Sequence, residues 1–176
     1  MTTGTLQVSD FFASLDDTTA ELLNLVSSTD AGTINAVPFE NSWTAAELAV
    51  HVTKSNNAII QALDMKGVRA ERNPAKRVTE LKMMFLDFTT KFTSPEFITP
   101  KQGVYEKGAL MAGLKRSIEQ LNDLRNKIDL TEIISLPAFG EITKLELLYF
   151  VLYHTHRHIH QLKNMLTILN TQGPGE

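Results

Sequence analysis

Residues 143–170 read TKLELLYFVLYHTHRHIHQLKNMLTILN and contain neither glycine nor proline. Because both of these residues interrupt helices, the stretch predicts one long helix. Thr143 and Glu146 form the Thr-x-x-Glu pattern typical of a helix start, and Gly173-Pro174-Gly175 predicts where the helix ends. A helix of this length can cross a whole bundle, so its faces decide how the rest of the chain packs.

Four of the five histidines in the chain lie on this predicted helix. Residues four apart share a helix face, which gives two pairs about 200° apart around the axis, His154 with His158 and His156 with His160. The face of the first pair is otherwise apolar, with Leu147, Val151, Leu162, Met165 and Leu169. The face of the second pair ends in polar residues, Lys163, Asn164 and Thr167. We therefore predict that the first pair faces the core and that the second pair turns towards solvent.

Two imidazoles in a protein core need partners, because leaving each one unsatisfied costs about 1–3 kcal/mol. They are either hydrogen-bonded core histidines or an i, i+4 pair that presents two nitrogens to one metal ion. The remaining histidine, His51, follows a second capping pattern that begins at Thr44, so it lies within another predicted helix. Taken alone, His51 would be a packing residue. As the one further candidate for a third ligand, it completes a predicted metal site of His51, His154 and His158.

Two motifs of the chain resemble those of the DinB-like metal-binding family. One contains Trp43, Glu47, Leu48 and His51, and the other contains His154, His158 and Gln161. Residues 137–143 also look like the segment that leads into the last helix of that family. The resemblance extends over residues 10 to 170. It implies a four-helix bundle that binds one divalent ion, most often nickel or zinc, through those three histidines, with other coordination positions open; His156 and His160 lie outside the family pattern.

The resemblance implies two classes of function. Some members of the family are thiol-dependent transferases or isomerases that act with bacillithiol, mycothiol or glutathione, and many have no known activity. The protein would therefore be a metal-dependent thiol S-transferase-type enzyme or a related hydrolase, with a small-molecule substrate and a low-molecular-weight thiol as partners. The alternative is a non-catalytic metal-binding protein that acts in the stress response or in interactions with other molecules. The family name refers to induction by DNA damage rather than to DNA binding, and a homodimer is implied by the resemblance alone.

Two polar residues lie close in sequence to the predicted ligands. Gln161 lies one turn beyond His158, where its side chain could accept a hydrogen bond from the second ring nitrogen of that histidine or bind a loop. Glu47 lies one turn before His51, so it could support the site as an outer partner or cap its own helix. The capping role is favoured for Glu47.

Composition excludes several other classes of function. The 176 residues are enough for one domain with a sizeable core, which we place at residues 1–176. A net charge of −3, with no run of more than two basic residues, argues against a nucleic-acid partner. The chain has no cysteine, so a thiol must come from a cosubstrate. We expect a cytoplasmic protein, because residues 1–8 do not form a secretory signal and no apolar stretch approaches the roughly 18 residues of a membrane span.

Helical periodicity accounts for most of the remaining chain. Helices are predicted from Ser9 or Asp10 to Ser28, from Thr44 to Met65, as a shorter accessory helix within residues 75–92, and from Tyr105 to Ile128. Residues 30–41 and 129–142 are predicted loops, residues 67–74 a solvated connection, and no strand is predicted. The fold class is therefore all-α, a four-helix bundle with a short accessory helix. A ferritin-like di-iron bundle is excluded because the sequence lacks its Glu-x-x-His motifs.

Two further features lie near the predicted site. Five large apolar residues of the accessory segment could line a pocket, but core packing is favoured: Met83, Met84, Phe85, Phe88 and Phe92. Arg157 lies between the two histidine pairs, and we expect it in solvent or at an interface.

Overall fold

A computed structural model of the protein describes residues 3–172, and it describes side chains for residues 8–171. The helices are α1 (Thr3–Ser28), α2 (Ala45–Asp64), α3 (Val78–Leu86), α4 (Lys107–Arg125) and α5 (Lys144–Gln172). The strands are β1 (Val68–Arg69), β2 (Glu132–Leu136) and β3 (Gly140–Thr143), and short 3₁₀ turns occupy Thr33–Asn35 and Glu96–Ile98. The predicted stop signal Gly173-Pro174-Gly175 lies outside the described residues.

The four long helices form the bundle that the sequence predicts, and α3 is the short accessory helix. Helix α5 packs against α1 and α2, and α4 packs against the same two helices. Each bundle helix contributes at least one fully buried leucine to the core: Leu22, Leu48, Leu114 and Leu162. Burying such a side chain is worth roughly 1.5–3 kcal/mol. None of the described helices combines the length and the hydropathy of a membrane span.

Both predicted capping motifs are present at the starts of α2 and α5. At α2, Glu47 N donates to Thr44 Oγ1 at 3.1 Å, and Thr44 N donates to Glu47 Oε2 at 2.9 Å. At α5, Glu146 N donates to Thr143 Oγ1 at 3.1 Å, and Thr143 N donates to Glu146 Oε2 at 2.9 Å. The two helices that carry the histidines therefore start at defined residues, which fixes which face each histidine presents.

The prediction that the chain contains no strand is wrong. A three-stranded antiparallel sheet of order β1-β2-β3 occupies parts of the predicted connection 67–74 and the predicted loop 129–142. Pro137 and Gly140 are predicted loop residues, but Pro137 begins the turn of the β2–β3 hairpin and Gly140 is the first residue of β3. Phe139 N donates to Leu136 O at 3.1 Å, which closes a four-residue turn, and Gly140 follows in the left-handed region with φ 65°.

Several helix boundaries also differ from the prediction, including the end of α4, which lies at Arg125 rather than at Ile128. Helix α1 begins at Thr3, ahead of the predicted Ser9 or Asp10. Helix α4 begins at Lys107 because the Glu106 carboxylate accepts hydrogen bonds from the first free backbone N–H groups of the helix. Helix α3 ends at Leu86 because the Asp87 side chain instead binds the backbone and hydroxyl of Thr89, a local turn that competes with helix continuation.

The preferred core role for the apolar residues of the accessory segment is wrong for four of the five. Met83, Met84, Phe88 and Phe92 are all exposed. Only Phe85 of this group is half-buried, and its ring lies 5.0 Å from that of Phe150 on α5. Helix α3 is too short to bury two faces, and it packs on α5 mainly through the buried Leu81.

Candidate metal centre

The structure brings the three predicted ligands together where α2 packs against α5. His51 Nε2 lies 3.3 Å from His154 Nε2, which lies 3.0 Å from His158 Nε2. One ring nitrogen from each residue falls within 4.8 Å of the other two. The side chains are only 2%, 7% and 6% exposed, so the cluster lies inside the protein. That these residues bind a metal remains a prediction.

The hydrogen-bond partners of Nδ1 in His51 and His158 indicate which ring nitrogen carries the hydrogen. His51 Nδ1 lies 3.0 Å from the backbone oxygen of Ile98, and His158 Nδ1 lies 3.0 Å from Gln161 Oε1. A carbonyl oxygen can only accept a hydrogen bond, so each Nδ1 carries the hydrogen and each neutral ring turns an Nε2 lone pair inward. Both lone pairs point at His154 Nε2, which can donate a single hydrogen. The cluster therefore has more acceptors than hydrogens, which a cation would balance.

The spacing of the inward nitrogens fits such a cation. A tetrahedral zinc ion with nitrogens about 2.0–2.1 Å away holds neighbouring ligands about 3.3–3.4 Å apart. Two of the three observed separations, 3.3 Å and 3.0 Å, are close to that value, and the third pair, His51 with His158, lies within 4.8 Å. Three imidazoles also suit zinc or nickel better than the oxygen-preferring magnesium or calcium. The residues present therefore fit a divalent ion held by three neutral ligands, with further coordination positions left open.

Burial keeps the three imidazoles in the neutral form that binds metals. Burial is the largest cause that lowers the pKa of His51, and the charge of Lys54 lowers it further. Burial lowers the pKa of His158 to about 3, and it places the pKa of His154 well below the usual value. A metal ion therefore does not compete with protons for these nitrogens at neutral pH.

Aromatic side chains surround the cluster. The Trp43 ring lies 5.0 Å from His51, and the Phe150 ring is stacked 4.9 Å from His154. Phe85 meets His154 edge-on at 6.1 Å. These rings restrict the orientation of the imidazoles and keep water away, and a less polar environment strengthens electrostatic interactions at the site.

The other predicted site residues fall in different places. Gln161 contacts His158, as described above. The hydrogen bond that the Glu47 carboxylate accepts comes from Thr44, so among the described residues Glu47 supports the helix start rather than a site histidine. His156 Nε2 lies 3.2 Å from the hydroxyl of Thr18, outside the cluster. His160 is exposed, and its ring stacks on Phe88 at 4.0 Å.

Sequence reasoning missed the segment that covers the site. We call residues 87–100, between α3 and α4, the connector. Its Ile98 carbonyl binds His51, and its Thr99 carbonyl accepts a hydrogen bond from Lys54 Nζ at 2.8 Å. Arg157 was expected in solvent or at an interface, but it donates to the backbone oxygens of Asp87, at 2.8 Å, and Thr90. Backbone carbonyl acceptors have no residue signature, so the sequence carried no signal for these contacts.

Comparisons with known proteins identify a family match and similar folds. The sequence pattern of the DinB superfamily matches residues 14–162. No curated protein matches. The structure resembles TT2238, described as a four-helix bundle protein, with 20% identity and a TM-score of 0.60 over 89% of this chain and 98% of that chain. It also resembles YfiT from Bacillus subtilis, described as a probable metal-dependent hydrolase with an unusual four-helix bundle topology, with 14% identity and a TM-score of 0.59 over 92% of this chain and 87% of that chain.

At these identities, the two structures show a shared fold and nothing more. The family match does not depend on them, and it spans most of the chain, including all three clustered histidines. The protein belongs to the DinB superfamily.

Proposed function

We propose that the protein is a divalent-metal-dependent enzyme of the thiol S-transferase type, with His51, His154 and His158 as the metal ligands. One observation carries this proposal: three buried Nε2 atoms converge while the outer nitrogens of two rings are held as donors. A histidine cluster without a cation would need a hydrogen between each pair of facing nitrogens, and this arrangement does not supply them. The native ion is proposed to be nickel or zinc.

The chain's contribution is to hold the ligands and shape the site around them. The ion would supply a Lewis acid that makes a thiol or a water molecule nucleophilic at neutral pH. The three neutral imidazoles add no negative charge, so they leave that acidity undiminished. Ile98 O and the side chain of Gln161 orient two of the rings, and the aromatic residues exclude water.

A thiol is favoured over water because a metal ion deprotonates a bound thiol completely, whereas a metal-bound water stays partly protonated at neutral pH. The Glu47 carboxylate caps α2, and the Glu146 carboxylate is bound by Arg72. Among the described residues, no carboxylate contacts a histidine of the cluster, whereas a thiol deprotonated by a metal needs no protein base. The description of YfiT as a probable hydrolase keeps water as the other nucleophile to assay. The proposed partners are a small-molecule substrate and a low-molecular-weight thiol, with a homodimer and a cytoplasmic location as further expectations.

The test begins with elemental analysis of an untagged preparation, because nickel resin could load the site artificially. Activity would then be screened with bacillithiol, mycothiol or glutathione as thiol donors, and with water alone. We expect one donor to support metal-dependent transfer that His154→Ala abolishes and His160→Ala leaves unchanged. Transfer activity that survives His154→Ala would overturn the proposal.

Burial of the cluster favours a second candidate, a non-catalytic ion that links α2 to α5. The ligand side chains are at most 7% exposed, which suits a closed structural site. Such a site predicts a large loss of thermal stability on chelation and no exchangeable position on the ion. Cobalt-substituted protein separates the two candidates: its visible absorption changes on addition of a thiol only if a coordination position is open to the solution.

A further inference from the structure

The connector differs from every other segment that borders the metal centre. Between residues 87 and 99, all of which the structure describes, no residue is buried. Two of its aromatic side chains, Phe92 and Phe97, are 47% and 67% exposed. The connector nevertheless contacts His51, a member of the buried cluster whose side chain is only 2% exposed. It is therefore held in place by polar contacts rather than by a core of its own, as in segments that open locally at low free-energy cost.

Two of these contacts tie the connector to α2. The 3₁₀ turn Glu96–Ile98 uses the carbonyls of Pro95 and Glu96 for its own hydrogen bonds. The carbonyls of Ile98 and Thr99, at the end of this turn, remain available for side chains. His51 Nδ1 binds the first at 3.0 Å, and Lys54 Nζ binds the second at 2.8 Å.

Arg157 ties the connector to α5. Its guanidinium donates to the backbone oxygens of Asp87 and Thr90 and lies 4.7 Å from the centre of the Phe92 ring. Arg157 is adjacent in sequence to His158. Both helices that carry the metal ligands therefore also hold the connector, through residues next to or identical with those ligands.

We propose that the connector is a lid whose closure is coupled to metal binding through His51. This inference rests on the metal site proposed above. A metal ion on His51 Nε2 requires the ring hydrogen to be on Nδ1, which is the hydrogen that the Ile98 carbonyl accepts. Without an ion the hydrogen can move to Nε2, and the connector then loses this contact. The ion favours the closed lid, and by linkage the closed lid favours the ion by the same factor. Movement of this lid would also give a substrate access to the buried histidines.

Hydrogen exchange measured by mass spectrometry tests the first half of the proposal. The metal-free and zinc-loaded forms of the full chain would be compared, with calorimetry confirming that zinc binds. We expect zinc to slow exchange of the connector amides, including those of Ile98 and Thr99, which donate within the turn. If zinc binds and the connector exchanges at the same rate, the lid coupling is wrong while the metal site stands. If neither zinc nor nickel binds to the wild-type protein, the proposed function itself is wrong.

Two substitutions test whether the closed lid favours metal binding. Electrostatic repulsion and lid coupling predict changes of opposite sign in zinc affinity for these substitutions. The positive charges of Lys54 and Arg157 disfavour a nearby cation, so removing either one would tighten zinc binding by Coulomb repulsion alone. Each residue also holds the lid. We expect Lys54→Met and Arg157→Gln to weaken zinc binding by about fivefold or more, the lower end of typical coupling between sites.

A matched control removes a charge without removing a lid contact. Lys91 is an exposed connector lysine for which the described residues provide no hydrogen-bond partner, so Lys91→Met should leave zinc affinity within about twofold, because surface charges are well screened. Circular dichroism confirms that the variants fold, and exchange of the connector should be faster in both test variants. Unchanged or tighter zinc binding in folded Lys54→Met and Arg157→Gln would overturn the proposal.

Discussion

Helix α5 carries two buried polar clusters, and they differ in how their hydrogen bonds are completed. At its start, the Glu146 side chain is fully buried, and both oxygens are satisfied by the protein. Oε1 accepts from Arg72 and from the backbone N–H of Arg77, each at 2.8 Å. Oε2 accepts from Arg72 at 2.8 Å and from Thr143 N at 2.9 Å. Charge and hydrogen bonding are thus both balanced without any outside group.

The histidine cluster, two to three turns further along α5, is not balanced in this way. His51 and His158 turn Nε2 lone pairs towards His154, which has one hydrogen to offer. Buried polar groups in folded proteins are nearly always satisfied, so an imbalance of this kind marks a place where something else binds. From this difference we infer that the Glu146 cluster stabilises the fold, and it supports the proposal that the histidine cluster binds a ligand.

Among the substitutions that test this difference, removing a histidine from the cluster should have the largest effect, which is a loss of zinc affinity. We expect His154→Ala to weaken zinc binding by more than about 100-fold. Loss of an outer hydrogen-bond partner of a ligand already costs about 10–100-fold, and loss of the ligand itself should cost more. His156→Ala is the matched control on the opposite face of α5, and its affinity should stay near that of the wild type. Competition with a chromophoric chelator measures both. Equal losses in the two variants would show that zinc binds elsewhere.

Removing the charge of Glu146 should instead affect stability. In Glu146→Gln the amide group faces donors that the carboxylate accepted, and Arg72 loses its counterion. We expect the free energy of unfolding of the metal-free protein to fall by about 2–4 kcal/mol, in line with broken buried ion pairs. Glu80→Gln removes a half-exposed carboxylate from Arg77 and should cost less than about 1 kcal/mol. Urea denaturation compares the two variants. If both lose a similarly small free energy of unfolding, the role given to Glu146 is contradicted.

Substitution of Gln161 should have an intermediate effect, which is limited to metal affinity. Gln161→Ala removes the acceptor for His158 Nδ1, so that ring loses the interaction that holds its Nε2 inward. We expect zinc affinity to fall by about 10–100-fold, with little change in the stability of the metal-free protein. In Gln161→Glu the acceptor is retained as a carboxylate, and the affinity should be maintained or increased. A Gln161→Ala protein that binds zinc normally would show that the ring needs no such support.

The parts of this structure that the sequence predicted depend on local rules. A period of 3.6 residues places His154 and His158 on one face of α5, and the Thr-x-x-Glu pattern places the helix start at Thr143. Both rules use only residues within a few positions of each other. The convergence of His51 with this pair was inferable because His51 is the only histidine of the sequence outside residues 154–160.

The parts that the sequence did not predict depend on contacts between distant residues. Strand β1 has two residues, and it forms because Val68 pairs with Ile133, across a position where Gly67 lets the chains approach: a Cβ there would lie 2.8 Å from Ile133 O. The connector is held by side chains that bind backbone carbonyls, as Arg157 does. The hairpin could have been predicted, because Pro137 and Gly140 flank a turn between segments rich in β-branched residues.

Acid should remove the stability difference between the wild type and Glu146→Gln. Burial alone would raise the pKa of Glu146, but hydrogen bonds from Arg72, Thr143 and Arg77 outweigh it, and the pKa is lowered from 4.5. A lowered pKa means that the folded state favours the ionised carboxylate. Its stabilisation is therefore complete above pH 4.5 and is lost as the pH falls through the folded-state value.

Urea denaturation of the metal-free wild type and variant between pH 7 and pH 3 measures this loss. Other titrating groups are present in both proteins, so their contributions cancel in the difference between the two free energies. That difference should be constant from pH 7 to about pH 5 and shrink below the unfolded-state pKa of glutamate. A difference that stays constant down to pH 3 would mean that Glu146 acts through its shape and capping bonds rather than its charge, and the two clusters of α5 would then differ less than their geometry indicates.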